Sequence, residues 1–175
     1  MDGIVSVVAH SSPWRVTRVP FTHPDAVQLM AQVQEIYVAR YGGPDDTPLE
    51  SSYFDPPKGA FFVGYLDDQP VATGAWRLRE DVTFQGTTKT AEIKRMYVVP
   101  QLHRRGLATK MLAHLESTAK SAGAAAMVLE TGSQQPEAIS LYRHCGYVEI
   151  PGFGFYRDSP ESRSFGKSLS GLSPS

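Results

Sequence analysis

The chain has 175 residues, of which 41% are hydrophobic and 20% charged, and a formal net charge of −1. That length supports one compact domain with a real core, and near-neutrality excludes the global basic field that binds nucleic acid non-specifically. Cys145 is the only cysteine, which excludes an intrachain disulfide and points to a reducing, cytoplasmic setting; no run reaches the ~20 apolar residues of a membrane span.

Residues 1–13 carry an apolar patch but an aspartate where a signal peptide has basic residues. They read as a flexible arm ahead of a domain over 14–169. "WRVTRVPF", Trp14 to Phe21, has strand-like residues and stops at Pro20. A helix follows, with Pro24 and Asp25 suited to its first turn, Leu29, Val33, Ile36 and Arg40 on one face, and Gly42-Gly43 at its end. "GGPDDTPLESSYFDPPKG" is a long loop of the functional or mobile kind.

Two strands, "AFFVGYLDD" and "PVATGAWRLRE", are joined by a turn at Asp67 to Pro70. The polar "DVTFQGTTKT" links them to a third, "AEIKRMYVV", which Pro100 terminates. The next helix is expected over Leu107 to Ala122, with Leu107, Met111, Leu115 and Ala119 as its buried stripe and Gly123 as its stop. "AAAMVLETG" reads as a buried strand, and "QPEAISLYRHCGY" as a short helix opened by Pro136 and closed by Gly146. Late strands are expected at Tyr147 to Ile150 and Ser162 to Leu169, and residues 170–175 form a flexible tail. The order defines a mixed α/β (α+β) single domain: one central, mostly antiparallel twisted sheet flanked by helices.

The stretch "HRRGLATKML" enters a helix with two arginines and no capping Ser, Thr, Asp or Asn. A helix entrance already exposes about four unpaired N–H groups and about half a positive charge. A bound anion would satisfy both, with Arg104 and Arg105 adding charge, Gly106 letting the backbone approach and Ala108 keeping the first turn small. The alternative is a solvated basic turn. A nucleoside-triphosphate loop and a dinucleotide fingerprint are both excluded, because neither G-x-x-x-x-G-K-[ST] nor G-x-G-x-x-G is present.

"EIKRMYVVPQLHRRGLATKML" followed by "LETGSQQPEAISLYRHCGY" resembles the GNAT superfamily of acetyl-CoA-dependent N-acetyltransferases. Gly106 and Ala108 match its pyrophosphate motif [Q/R]-x-x-G-x-[G/A], and Ala138, Leu141, Tyr142, Gly146 and Tyr147 match its later segment. His103 stands where the family has Gln or Arg, and Gln135 where many members have Asn. The resemblance implies the GNAT-like acyl-CoA N-acyltransferase fold, acetyl-CoA as co-substrate and direct acyl transfer to an amine in a ternary complex.

It also implies a coenzyme site made of the backbone of Met96, Tyr97 and Val98, the loop His103, Arg104, Arg105, Gly106, Leu107, Ala108 and Thr109, and Gln135, Ala138 and Tyr142. Tyr142 is the expected general acid toward the departing sulfur, since a phenol with a pKa of about 10 stays protonated at neutral pH; packing is its other role. Glu92 is the expected general base, with an edge-strand ion pair to Lys94 or Arg95 as the competing role and Glu130 as the alternative base. Glu35, Arg40, Tyr41 and Arg95 are acceptor-site candidates, with Arg95 or its neighbour Lys94, whichever faces the cleft, as a partner for a substrate carboxylate; a solvated helix end and surface ion pairs are the competing roles.

The five histidines show no metal-ligand spacing, so no metal is expected. The expected acceptor is a small-molecule or amino-acid-like amine, with no nucleic-acid or membrane partner; an exposed late edge strand leaves a homodimer open. A non-catalytic acyl-CoA-binding domain and a protein N-terminal or lysine acetyltransferase are the competing functions.

Overall fold

The computed structural model describes residues 13–171; the arm and tail expected at the two ends lie outside them, apart from Pro13, Ser170 and Gly171. Strand β1 (Trp14–Arg18) leads into helix α1 (Pro24–Tyr41). Strands β2 (Gly59–Leu66), β3 (Gln69–Arg79) and β4 (Thr90–Val98) follow, then α2 (Leu107–Ser121), β5 (Ala126–Gly132), α3 (Pro136–His144), β6 (Val148–Ile150) and β7 (Ser162–Ser168). Short 3-10 turns at Ser51–Phe54 and Pro100–Leu102 were not anticipated.

All seven strands form one sheet in the order β1-β2-β3-β4-β5-β7-β6. Every pairing is antiparallel except β4 with β5, which need a crossover, and α2 supplies it. The mostly antiparallel α/β architecture expected from the sequence is therefore the one observed. β7 inserts between β5 and β6, so the strand left at that edge is the three-residue β6. Asp67 and Asp68, with φ of 49° and 64°, form the two-residue turn between β2 and β3, the geometry that matches strand twist.

Alternation along the strands divides the core between the two faces of the sheet. Phe61, Val63, Tyr65, Ala75 and Tyr97 pack against Ala26, Leu29 and Val33 of α1. Phe62, Ala72, Trp76 and Ile93 pack against Leu107, Met111, Leu112 and Leu115 of α2 and Tyr142 of α3. The Trp76 indole N–H donates to Thr118 Oγ1 at 2.9 Å, so this large ring is buried without an unpaired donor. The α1 stripe ends sooner than its spacing suggests: Ile36 is half-buried and Arg40 turns away to α3. The link expected to be simply polar folds back through a turn at Gln85 and Gly86, burying Val82 and Phe84 against Ala126 and Val128.

Candidate active site

Two irregularities in β4 make the site. Opposite Gly74 the register shifts, so that Thr73 faces Tyr97 while Ala75 faces Lys94, leaving one extra residue in β4. Arg95 takes up the excess in the left-handed region at φ 52°, and the Thr73 hydroxyl donates to the Arg95 carbonyl at 2.7 Å. A non-glycine residue costs about 1–2 kcal/mol there, and bulges of this kind re-aim a strand beside functional sites. In addition, β4 pairs with β5 only over Thr90–Glu92 against Ala126–Val128. Beyond that point the two strands part.

The parted edge exposes backbone. Val99 N–H donates to the Val71 carbonyl at 2.9 Å, so antiparallel alternation turns the backbone groups of Val98 away from β3. The Val98 carbonyl accepts from the His103 ring at 2.7 Å. His103 therefore braces the open strand end, a role its motif position did not suggest. Tyr97 pairs with Thr73 and buries its ring on the α1 side, while Met96 lines the opening.

Past β4 the chain turns through Arg104 at φ 66° and Gly106 at φ 76° into α2. The helix entrance has no side-chain cap, and its bonding begins with Lys110 N–H donating to the Gly106 carbonyl at 3.1 Å. Leu107 anchors the turn in the core, while Arg104, Arg105 and Thr109 are exposed and Ala108 half-buried. Neither arginine has an ion-pair partner among the described residues. A Cβ at Gly106 would meet nothing within 4 Å; what demands glycine within the protein is its positive φ, and the space above it is free for a ligand. Uncapped donors, dipole and two free guanidinium groups fit a diphosphate.

A cleft of about 350 Å³ opens where β4 and β5 part. Its walls include Met96, Arg95 and Lys94 from β4, Glu130 from β5, Gln135 just before α3, Ala138 and Tyr142 from α3, and Tyr37 and Tyr41 from α1. The loop over residues 43–47, Tyr156, Ser159 and Glu161 from the β6–β7 connection, and Ser162 at the start of β7 complete its lining. The Asp46 N–H donates to the Tyr156 hydroxyl at 2.8 Å, joining the two loops, and Tyr41 accepts from the Gln134 N–H at 3.1 Å.

Tyr142 is 4% exposed and packs edge-on against Tyr147, with ring centroids 5.5 Å apart. Its hydroxyl has no hydrogen-bond partner among the described residues, and burial raises its pKa, so it remains a proton donor. Tyr142 thus packs in the core and also lines the cleft. Glu130, from β5, is one of the carboxyl groups lining the cleft. Its Oε1 is buried with no hydrogen-bond partner among the described residues, while Oε2 accepts from the Ser162 hydroxyl at 3.4 Å. Burial, first of all, raises its pKa, and nearby Glu92 adds to that against the opposing pull of Lys94. Gly154 lies directly over this carboxyl: a Cβ there would stand 1.7 Å from Oε1.

The expectation that Glu92 is the base is corrected. Its Oε1 accepts from Arg77 Nε at 3.0 Å and Arg79 Nη1 at 2.9 Å, and Lys94 Nζ lies 3.4 Å from Oε2. With 1% exposure and three cations around it, the Glu92 carboxylate is committed to these ion pairs and does not line the cleft. Nor is Arg95 free for a substrate carboxylate, because its Nη1 lies 2.6 Å from Asp45 Oδ2. Arg40 bonds Glu137 and the Gln134 carbonyl, tying α1 to α3, and Glu35 is exposed on α1; neither lines the cleft. Of the acceptor set, only Tyr41 and Arg95 reach it.

The sequence reading missed Tyr37, Asp45, Asp46, Tyr156 and Glu161. The density of Pro and Gly in the loop after α1 was the available signal for the aspartates, whereas nothing local marked Tyr156 or Glu161. No group of three or more potential metal-ligating side chains occurs among the described residues, and no helix there is long and apolar enough to cross a membrane.

The seven-stranded fold, with two strands that part beside the cleft, has known relatives. The model of the acetyltransferase (GNAT) family matches residues 30–147, and the chain belongs to that family. It is similar to an IAA acetyltransferase of Azospirillum brasilense, with 37% identity over 78 residues, 45% of this chain and 51% of that protein; the match spans about half of that relative's length. Among solved structures, a Klebsiella pneumoniae protein assigned as an acyl-CoA N-acyltransferase superposes with a TM-score of 0.73 and 27% identity, covering 89% of this chain and 97% of that one. The yncA protein of Salmonella typhimurium, solved with acetyl-CoA, shares the fold with a TM-score of 0.59 and 18% identity, over 94% and 99% of the two chains.

Proposed function

We propose that this protein transfers an acetyl group from acetyl-CoA to a primary amine of a small molecule. The observation that carries this reading is the unbonded Tyr142 hydroxyl on the wall of the cleft where β4 leaves β5. The uncapped entrance of α2, with Arg104 and Arg105, would hold the diphosphate, and the free β4 edge from Met96 to Val98 would receive the amide-bearing arm. The co-substrate supplies an acyl thioester. The existence of an acetyl-CoA complex in the yncA protein supports the choice of coenzyme.

The chain's own groups then divide the proton work. Glu130 accepts one proton from the incoming ammonium, its raised pKa narrowing the gap to an amine. The freed nitrogen bonds to the acyl carbon as the carbon–sulfur bond breaks. Tyr142 gives its proton to the departing sulfur and regains one from the acylated nitrogen. Closure of the cleft by the loops around Asp46 and Tyr156 limits water, which favours transfer over hydrolysis, and holding both partners in one cleft supplies several kcal/mol of the barrier.

The test is release of free CoA from acetyl-CoA with and without amine pools. Amine-dependent release supports the reading. Tight acetyl-CoA binding with no turnover on any pool would instead establish a binding domain.

A further inference from the structure

The charges of the cleft select its occupant, an inference that rests on the acetyltransferase reading above. Four carboxyl groups line the cleft, from Asp45, Asp46, Glu130 and Glu161, against two cations, Lys94 and Arg95. Both cations are committed: Arg95 to Asp45 at 2.6 Å, and Lys94 to Glu92 at 3.4 Å. Asp46 and Glu161, both exposed, have no ion-pair partner among the described residues; the Glu161 carboxylate accepts only the Gln134 side-chain amide at 3.3 Å. Deeper in, Glu130 Oε1 is buried with no hydrogen-bond partner among the described residues. Tyr37, Tyr41 and Tyr156 supply aromatic surface between these carboxyls.

We infer that the acceptor is a dication: a primary amine whose carbon chain carries a second cationic centre and no carboxylate. The reacting ammonium addresses Glu130, and the second cation is held by Asp46 and Glu161 beside the tyrosine faces. Ammonium groups gain from both carboxylates and ring faces. A carboxylate on the acceptor would meet unpaired like charge and find no free cation in the cleft lining. The methylene chain between two cations suits the aromatic walls.

The test compares 1,4-diaminobutane, butylamine and 4-aminobutanoate, which share a four-carbon chain and differ in charge at the far end. The diamine is expected to exceed the amino acid in kcat/KM by about a hundredfold, with butylamine between them. Asp46→Asn and Glu161→Gln should raise KM for the diamine and leave KM for acetyl-CoA unchanged. Equal turnover of 4-aminobutanoate, or of butylamine, overturns the inference. If none of the three is acetylated, calorimetry with the CoA-saturated protein decides it separately from the transfer reading. Heat from the diamine alone, lost in Asp46→Asn, supports a dication site on a protein whose chemistry has been misread. No heat from the diamine, or equal heat from the other two, overturns the site itself.

Discussion

Arg95 Nη1 lies 2.6 Å from Asp45 Oδ2, and this pair fastens the loop after α1 to the bulge of β4. The side chains are only 8% and 19% exposed. The loop end is held further by Thr47, whose N–H and hydroxyl both donate to Asp45 Oδ1, and by Gln34, which accepts the Asp45 N–H at 2.8 Å. One ion pair thus joins the wall of the cleft to its floor.

Asp45→Asn should cost about 2–3 kcal/mol, the value of a charge-assisted bond whose partner stays buried, and should raise KM for the acceptor. The pH dependence has a definite sign. Burial works against ionisation of Asp45, but its bonds from Thr47 and the nearby Arg95 and Lys94 outweigh burial and lower its pKa from 3.8. A carboxyl that ionises more readily when folded stabilises fully above its unfolded pKa and loses that contribution as pH falls through the folded one. Urea unfolding should therefore show the wild-type advantage over Asp45→Asn at neutral pH, shrinking below about pH 4.

Tyr142→Phe should lower kcat by about a hundredfold, the scale of a lost general acid, with little change in CoA affinity. Because the hydroxyl has no hydrogen-bond partner among the described residues, its removal leaves no buried group unpaired and stability should change little. A large fall in melting temperature without loss of kcat would show that the residue only packs.

Glu130→Gln should reduce kcat/KM by at least about a hundredfold and remove the acid limb of its pH profile. Its effect on stability runs the other way. Burial raises the Glu130 pKa above 4.5, so the fold disfavours the ionised group, and stability falls as pH rises from the unfolded to the folded value. The variant should melt higher than wild type at neutral pH and match it near pH 4. Full activity in Glu130→Gln would return the search for the base to solvent.

Gly106→Glu should fold, since its Cβ meets nothing within 4 Å and its cost is that of φ 76°, about 1–2 kcal/mol. Bulk and negative charge at the helix entrance should nevertheless weaken CoA binding by about a hundredfold or more, measured by calorimetry. Undiminished binding would remove the α2 entrance from the coenzyme site.

Much of this protein follows from local sequence. Helices and strands were legible because the apolar periods are clean and Pro24, Pro136, Gly42 and Gly146 punctuate them. The uncapped α2 entrance was legible because a missing cap beside paired arginines is itself a local contradiction, whereas Tyr142 was singled out by the family resemblance, its local spacing pointing to packing. The charge partners were decided only by the fold. Glu92 is occupied because β3 brings Arg77 and Arg79 alongside it; Glu130 is left with an unbonded oxygen because Gly154 arrives from a distant loop; Arg95 is spoken for because Asp45 reaches it across 50 residues of chain. Secondary structure depends on neighbours along the chain, which the sequence states, whereas the chemical availability of a buried charge depends on what lies within a few ångströms in space, which only the packed sheet determines.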